Sequence, residues 1–339
     1  MKKSSEEGKV LVTGGGGFLG SAICRQLIRK GYQVRSFSRN IYPELVRAGV
    51  ECLTGDMRCP EDLKKAVSGC DTVIHSAAKA GIWGKPEDFM DINYKGTLSL
   101  LNASKQAGVR RFIYTSSPSV VFGNQDIRGA DESLPYPQKF YSWYACSKRH
   151  GEAAVLAAHQ GAEFCTLALR PHLIWGPGDP HFLPRLKMRA DAHRLFRLGS
   201  GDNLVDVTYV ENAAAGHLAA LLAMSRHHFT GGGRAYFLAQ DEPVRLWDFL
   251  NKMLAAIGRP PVSQSLQIPF SIAWSIGFFI ETIWKISGSY DKEPPLTRFA
   301  AMQLCRSHYF NHGAAQTQLG YYPEISTEDG LTALRQYSE

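Results

Sequence analysis

A chain of 339 residues with 44% hydrophobic and 20% charged side chains has material for one large core, or for a core with a smaller lobe. Its net charge of +7 suits an anionic ligand or an anionic membrane surface, whereas the lack of any Lys/Arg run or aromatic-basic repeat argues against nucleic acid as a partner. Seven cysteines without a C-x-x-C pair speak against a disulfide framework and against zinc, and the polar start from Met1 to Lys9 reads as no signal peptide, so free thiols and the cytoplasm are expected.

The first predicted element is an apolar strand, Val10 to Val12, that breaks into Thr13 and four glycines, Gly14 to Gly17. A helix follows with Leu19, Ile23 and Leu27 at every fourth position. Strand, glycine turn and helix together read as a dinucleotide-binding turn. Glycine lets the backbone approach a pyrophosphate, and the helix start offers free N–H groups and the positive end of its dipole. Two registers stay open at this point: Gly15, Gly17 and Gly20 satisfy G-x-G-x-x-G, and Gly14, Gly17 and Gly20 satisfy the wider G-x-x-G-x-x-G. A nucleoside-triphosphate loop is disfavoured, because Ser21-Ala22 stand where its lysine and hydroxyl belong.

Alternating signals continue: strands over Gln33 to Phe37 and Val50 to Leu53, a helix over Pro60 to Val67, and a strand over Thr72 to His75. A helix from Asn93 to Gln106 closed by Gly108, a strand from Arg111 to Thr115, and a helix carrying Tyr144, Lys148, Glu152 and Val155 come next. The strand Cys165 to Leu169 stops at Arg170-Pro171. This βαβ rhythm predicts an α/β fold, a Rossmann-type doubly wound parallel sheet over residues 8–178. Residues 179–339 read as a smaller substrate lobe packed on it, with some C-terminal segments returning to the core. Ile268 to Ile286 is nearly long enough to span a membrane, but Ser271, Ser275, Glu281 and Lys285 interrupt it, and Glu281 can pair with Lys285 across one turn. A helix over the substrate pocket is expected there, with peripheral contact to a membrane surface as the alternative.

Tyr144 and Lys148 lie four apart, hence on one helical face. A phenol titrates near about 10, too high for proton transfer at neutral pH, but a cation beside it stabilises the phenolate. Lys148 can supply that cation. At the end of the preceding strand, Tyr114-Thr115-Ser116-Ser117-Pro118 delivers hydroxyls to the carboxyl edge of the sheet, where open α/β folds bind ligands. Ser117, Tyr144 and Lys148 thus complete a set suited to acid–base chemistry, and no metal is required. The second strand ends Ser36-Phe37-Ser38-Arg39, without the acid that would bind a ribose 2′-hydroxyl. Arg39 suits a 2′-phosphate, so NADPH is expected, with NAD(H) left open.

With T-G-x-x-G-F-L-G at Thr13 to Gly20 and Y-x-x-x-K at Tyr144 to Lys148, the chain resembles the extended branch of the short-chain dehydrogenase/reductase superfamily. Other markers of the branch are Gly55-Asp56, His75-Ser76-Ala77-Ala78, Asn93 with Gly96-Thr97, Arg170-Pro171 and Gly176-Pro177-Gly178. The resemblance implies the register Gly14, Gly17, Gly20 and a cofactor site that also takes in Phe18, Leu19, Ser38, Arg39, Met57, Tyr144, Lys148 and Pro171. It implies that Asp56 contacts the adenine and that Ala77 and Ala78 let the backbone approach the cofactor. Catalysis would fall to Ser117, Tyr144, Lys148 and Asn93, with Lys148 also on the nicotinamide ribose. A homodimer through the helices that begin near Asn93 and Tyr144 is a further implication.

From about Lys9 to Leu331 the chain is similar to the 3β-hydroxysteroid dehydrogenase family, including Pro294 to Phe299, Leu319 to Pro323 and Glu328 to Leu331. His75 to Gly84 and Tyr114 to Val120 are similar to the bacterial members that serve long-chain olefin biosynthesis by reducing 2-alkyl-3-oxoalkanoates to 2-alkyl-3-hydroxyalkanoates. The 3β-hydroxysteroid and sterol-4α-carboxylate 3-dehydrogenases of the family are the alternative. Nucleotide-sugar epimerases and dehydratases usually place an arginine before the aspartate where this chain has Val205-Asp206, and the apolar stretch from Leu266 to Trp284 fits a lipid-like acid better. A non-catalytic NADP-binding sensor is disfavoured by the complete Ser, Tyr, Lys set. Lys79, Trp83, His181 and Arg185 are the candidates for substrate contact. Association with other enzymes of the same pathway is a further expectation.

Overall fold

The computed structural model describes residues 8–240, 242–262 and 267–338. Most of the polar start (residues 1–7), and Leu266 at the head of the apolar stretch, lie outside the described residues. Seven parallel strands form one sheet, labelled in chain order β1 (Lys9–Thr13), β2 (Val34–Ser38), β3 (Glu51–Thr54), β4 (Cys70–His75), β5 (Arg111–Thr115), β6 (Cys165–Pro171) and β7 (Ala235–Leu238). Their order across the sheet is β7-β6-β5-β4-β1-β2-β3. The order reverses between β1 and β4, so the crevice for a ligand opens at the carboxyl ends of those two strands.

Side-chain alternation explains why both faces are covered. In β1, Val10 and Val12 enter one core with Ile23 and Leu27 of the Phe18–Arg29 helix and Leu218 and Leu221 of the Val210–Met224 helix. Leu11 enters the other, with Leu63, Leu100 and Val155 of the Pro60–Val67, Gly96–Gln106 and Trp143–Ala157 helices. The sixth strand does not stop before Arg170. It runs through Pro171, because Arg170 pairs with Phe237 of β7 and its guanidinium is buried against Glu152. A second, four-stranded sheet joins Ile127–Ala130, His308–Phe310, Leu204–Val205 and Val244–Arg245, drawing together strands from distant parts of the chain.

The apolar stretch forms one helix, Phe270–Ile286, which buries Ala273, Gly277 and Glu281 at four-residue spacing. Gly277 is required there: a Cβ would come within 2.8 Å of the Arg298 nitrogen. Glu281 does not pair with Lys285. Its carboxylate turns inward, accepts the Arg298 backbone N–H at 2.6 Å and holds the Arg298 guanidinium at 2.6 Å, so it sits at the positive start of the Arg298–Cys305 helix. The opposite face carries Ile272, Ile276, Phe279, Ile283 and Ile286, all exposed. No helix among the described residues is long and apolar enough to cross a membrane.

Candidate active site

The turn after β1 is built for close backbone approach. Gly14 holds φ +69°, and a Cβ there would lie 2.8 Å from the Ala77 Cα, while one on Gly20 would lie 2.1 Å from the Gly14 carbonyl oxygen. The Gly17 N–H closes the turn on the Gly14 carbonyl at 2.9 Å. No side chain caps the helix start at Gly17, and no acid stands in its first turn, so the helix leaves the positive end of its dipole, at Phe18 and Leu19, uncompensated by its own side chains. A glycine cradle with uncapped donors fits the diphosphate of a dinucleotide.

Around the cradle, the Ser38 hydroxyl accepts the Gly16 N–H at 3.2 Å, and Arg39 follows it exposed at the surface. Arg58 grips the Asp56 carboxylate and, through that hydrogen bond above all, holds it down to about 2. Met57 is buried beneath Gly96. Ala77 is half-buried with its N–H on the Thr13 hydroxyl at 3.2 Å, Ala78 is exposed, and Pro171 closes β6.

Ser117 leaves β5 in extended conformation, its hydroxyl accepting the Ser119 N–H. The Trp143–Ala157 helix then brings Tyr144 to it. Burial raises the Tyr144 phenol above its ordinary value, and the neighbouring Ser117 hydroxyl pulls it back. Lys148, one turn on and 2% exposed, donates to the Thr115 carbonyl at 2.5 Å and stands over the Tyr114 ring at 4.0 Å. Burial draws its ammonium down to about 7, with Glu152 opposing. The expected depression of Tyr144 by Lys148 is not what this geometry produces: the ammonium is turned to Thr115 and Tyr114, and burial dominates both groups. Asn93 lies in a π turn, Asp91–Lys95, that leads into the Gly96–Gln106 helix. Its amide donates to the Ser147 hydroxyl at 3.0 Å and exchanges bonds with the Lys79 backbone, so it holds the catalytic helix from the side.

Sequence reasoning assigned no role to several side chains that complete this frame. Glu152 and Arg170 form a doubly bonded ion pair, at 3.0 and 2.6 Å, exposed by 0% and 3%, and Tyr136 donates to the same carboxylate at 2.8 Å. The i,i+4 step from Lys148 to Glu152 was the available signal. His75, Thr97 and Arg170 were noted only as family markers, and nothing local pointed to the Thr13 hydroxyl.

The four substrate candidates do not converge on the phenol as free groups. Lys79 is paired with Asp88 at 2.8 Å and Arg185 with Glu293 at 2.5 Å. Trp83 donates to the Ser289 carbonyl at 3.0 Å and stacks on Tyr290. Trp83 and Arg185 therefore meet one segment, 289–293, whereas His181 is exposed and its N–H bonds Asp179 at the start of the next helix.

Residues 11–268 match the 3-beta hydroxysteroid dehydrogenase/isomerase family, and the chain belongs to it. Among its relatives are two proteins named 2-alkyl-3-oxoalkanoate reductase. The one from Shewanella oneidensis is 42% identical over 330 residues, covering 96% of this chain and 84% of its own. That from Stenotrophomonas maltophilia is 43% identical, covering 96% and 98%. The human sterol-4-alpha-carboxylate 3-dehydrogenase, decarboxylating, is 34% identical over 94% of this chain and 85% of its own. Of solved structures, a UDP-glucuronic acid 4-epimerase from Bacillus cereus in complex with NAD superposes with a TM-score of 0.72 at 24% identity, covering 97% and 96% of the two chains, which shows the shared fold.

Proposed function

We propose that the chain is an NAD(P)-dependent reductase that interconverts a 2-alkyl-3-oxoalkanoate and a 2-alkyl-3-hydroxyalkanoate. The observation that carries this reading is Ser117 at the end of β5 with Tyr144 and the buried Lys148 on the helix packed against that strand end, in a chain 42–43% identical to two proteins of that name. A nicotinamide cofactor, when bound, supplies the hydride. Gly14, Gly17 and Gly20, with the N–H groups of Phe18 and Leu19, hold its diphosphate. Arg39, with Ser38, favours a 2′-phosphate and hence NADPH. Ser117 donates to the substrate carbonyl oxygen and polarises it, and Tyr144 gives that oxygen its proton. Lys148, while charged, holds the ribose hydroxyls with the ammonium protons that the Thr115 carbonyl leaves free.

The test is cofactor oxidation by the purified chain with a long-chain 2-alkyl-3-oxo acid, run with NADPH and with NADH, beside a 4α-carboxysterol with the oxidised cofactors. Turnover of the keto acid with a lower KM for NADPH is the expected result. Equal KM values for the two cofactors would remove the role of Arg39. Turnover of the sterol alone would favour the second reading, which rests on the 34% identity to the human sterol-4-alpha-carboxylate dehydrogenase, and turnover of neither sinks both.

A further inference from the structure

His75 is fully buried at the end of β4, between Thr13 on β1 and Tyr114 on β5. Its Nδ1 lies 2.7 Å from the Thr13 hydroxyl and its Nε2 lies 2.9 Å from the Thr97 hydroxyl. The partners of those hydroxyls decide where the protons are. Thr97 Oγ1 is 2.8 Å from the Asn93 carbonyl oxygen, which can only accept, so the single proton of Thr97 goes there and its lone pair receives the imidazole Nε2–H. The other ring nitrogen is then an acceptor. Thr13 donates to it and in turn accepts the Ala77 N–H at 3.2 Å. Every group in the series has one assignment: Ala77 N–H to Thr13, Thr13 to His75, His75 to Thr97, Thr97 to the Asn93 carbonyl. Burial, reinforced by the nearby Lys148 charge, holds the imidazole down to about 3, so it stays neutral and keeps both roles across the working range of pH.

The two ends of this series are the two halves of the site. Thr13 and Ala77 border Gly14, whose backbone packs directly on Ala77. Asn93 holds Ser147, whose own hydroxyl bonds the Tyr144 carbonyl at 2.9 Å. We infer that His75 is a positioning residue that locks the cofactor turn to the Asn93 turn and the catalytic helix through one directed chain of hydrogen bonds. It touches no reacting atom. It acts by fixing the distance between the floor on which a dinucleotide rests and the helix that presents Tyr144 and Lys148. Directed chains in a dry interior reinforce one another, and breaking any link leaves a buried group unpaired.

The inference rests on the dinucleotide reading of the glycine turn, and its test separates the two. His75→Leu can fail to fold, so the links are cut on either side of it by isosteric change: Thr13→Val at the cofactor end and Thr97→Val at the catalytic end. Cofactor binding is read by NADPH fluorescence, turnover by kcat and KM for the cofactor, and folding by Tm. Each variant is expected to raise the cofactor KM and lower kcat by about tenfold together, although Thr13 stands at the cofactor end of the series and Thr97 at the catalytic end. The double variant is expected to be no worse than the worse single one, because one chain is cut twice. Thr97→Ser, which keeps the hydroxyl, is expected to recover most of the loss. Variants that lower Tm while KM and kcat stay within about twofold of native, or whose kinetic losses multiply in the double variant, overturn the positioning role. A native chain that fails to bind NADPH or NADH overturns the dinucleotide reading, and the inference with it.

Discussion

The carboxyl edge of the sheet and the rim above it are built by different physics. At the edge, polar groups are buried and held: His75 and Thr97 are 0% exposed and Lys148 2%, and each has a partner at 2.5–2.9 Å. At the rim, the charges of Lys79 and Arg185 are also paired, but their side chains stay 31% and 39% exposed, in water and within reach of salt. A dry frame makes each hydrogen bond costly to break, so the groups placed for chemistry cannot drift. Screened pairs are weak and exchangeable. The Ser117, Tyr144 and Lys148 set therefore stands on the rigid side of this contrast, and the charges of Lys79 and Arg185 on the adjustable side.

The strongest break of this division is at the phenol. Tyr144→Phe is expected to lower kcat/KM by about 10²–10⁴-fold while cofactor binding, read by fluorescence, stays near native. Near-native turnover would show that the proton comes from elsewhere. Next in size is the ion pair behind the helix. Glu152→Gln leaves the Arg170 charge buried without its partner and is expected to cost about 3–5 kcal/mol in denaturant unfolding. Lys252→Ala, which breaks the exposed pair with Glu328, is expected to stay within about 0.5 kcal/mol. Equal costs for the two would erase the distinction between buried and exposed pairs. The smallest effect is in pH. The Lys148 ammonium is held down to about 7, so it is present below that pH and lost as pH rises through it, and kcat/KM is expected to fall on the alkaline side. Lys79→Ala should leave that limb where it is, and a profile flat through that pH would remove the charged form of Lys148 from the rate.

The local signals were those that depend on neighbours in the chain. Alternation and four-residue spacing placed the strands and helices of the first half, with Pro60–Val67 and Arg111–Thr115 matching residue for residue. The glycines, Ser117, and the Tyr144-to-Lys148 step were legible for the same reason: a turn, a strand end and a helical face are local objects. Elsewhere local reading failed in a consistent way. Glu281 lies four residues from Lys285 and was matched with it, but Arg298, seventeen residues on, is its partner because Gly277 lets a second helix come close. Arg170 looked like the end of a strand until β7, more than sixty residues later in the chain, continued the ladder beside it.

By itself the sequence determined the first six strands of the sheet, the glycine turn after the first of them, and the helical step from Tyr144 to Lys148, because short-range spacing specifies them. Only the tertiary structure decided what holds these in place. Burial, not the Lys148 charge, governs the Tyr144 phenol, Glu152 is tied to Arg170, and His75 spans from Thr13 to Thr97. These pairs lie 18 to 62 residues apart, and a hydrogen bond between distant residues leaves no periodicity for a sequence to display.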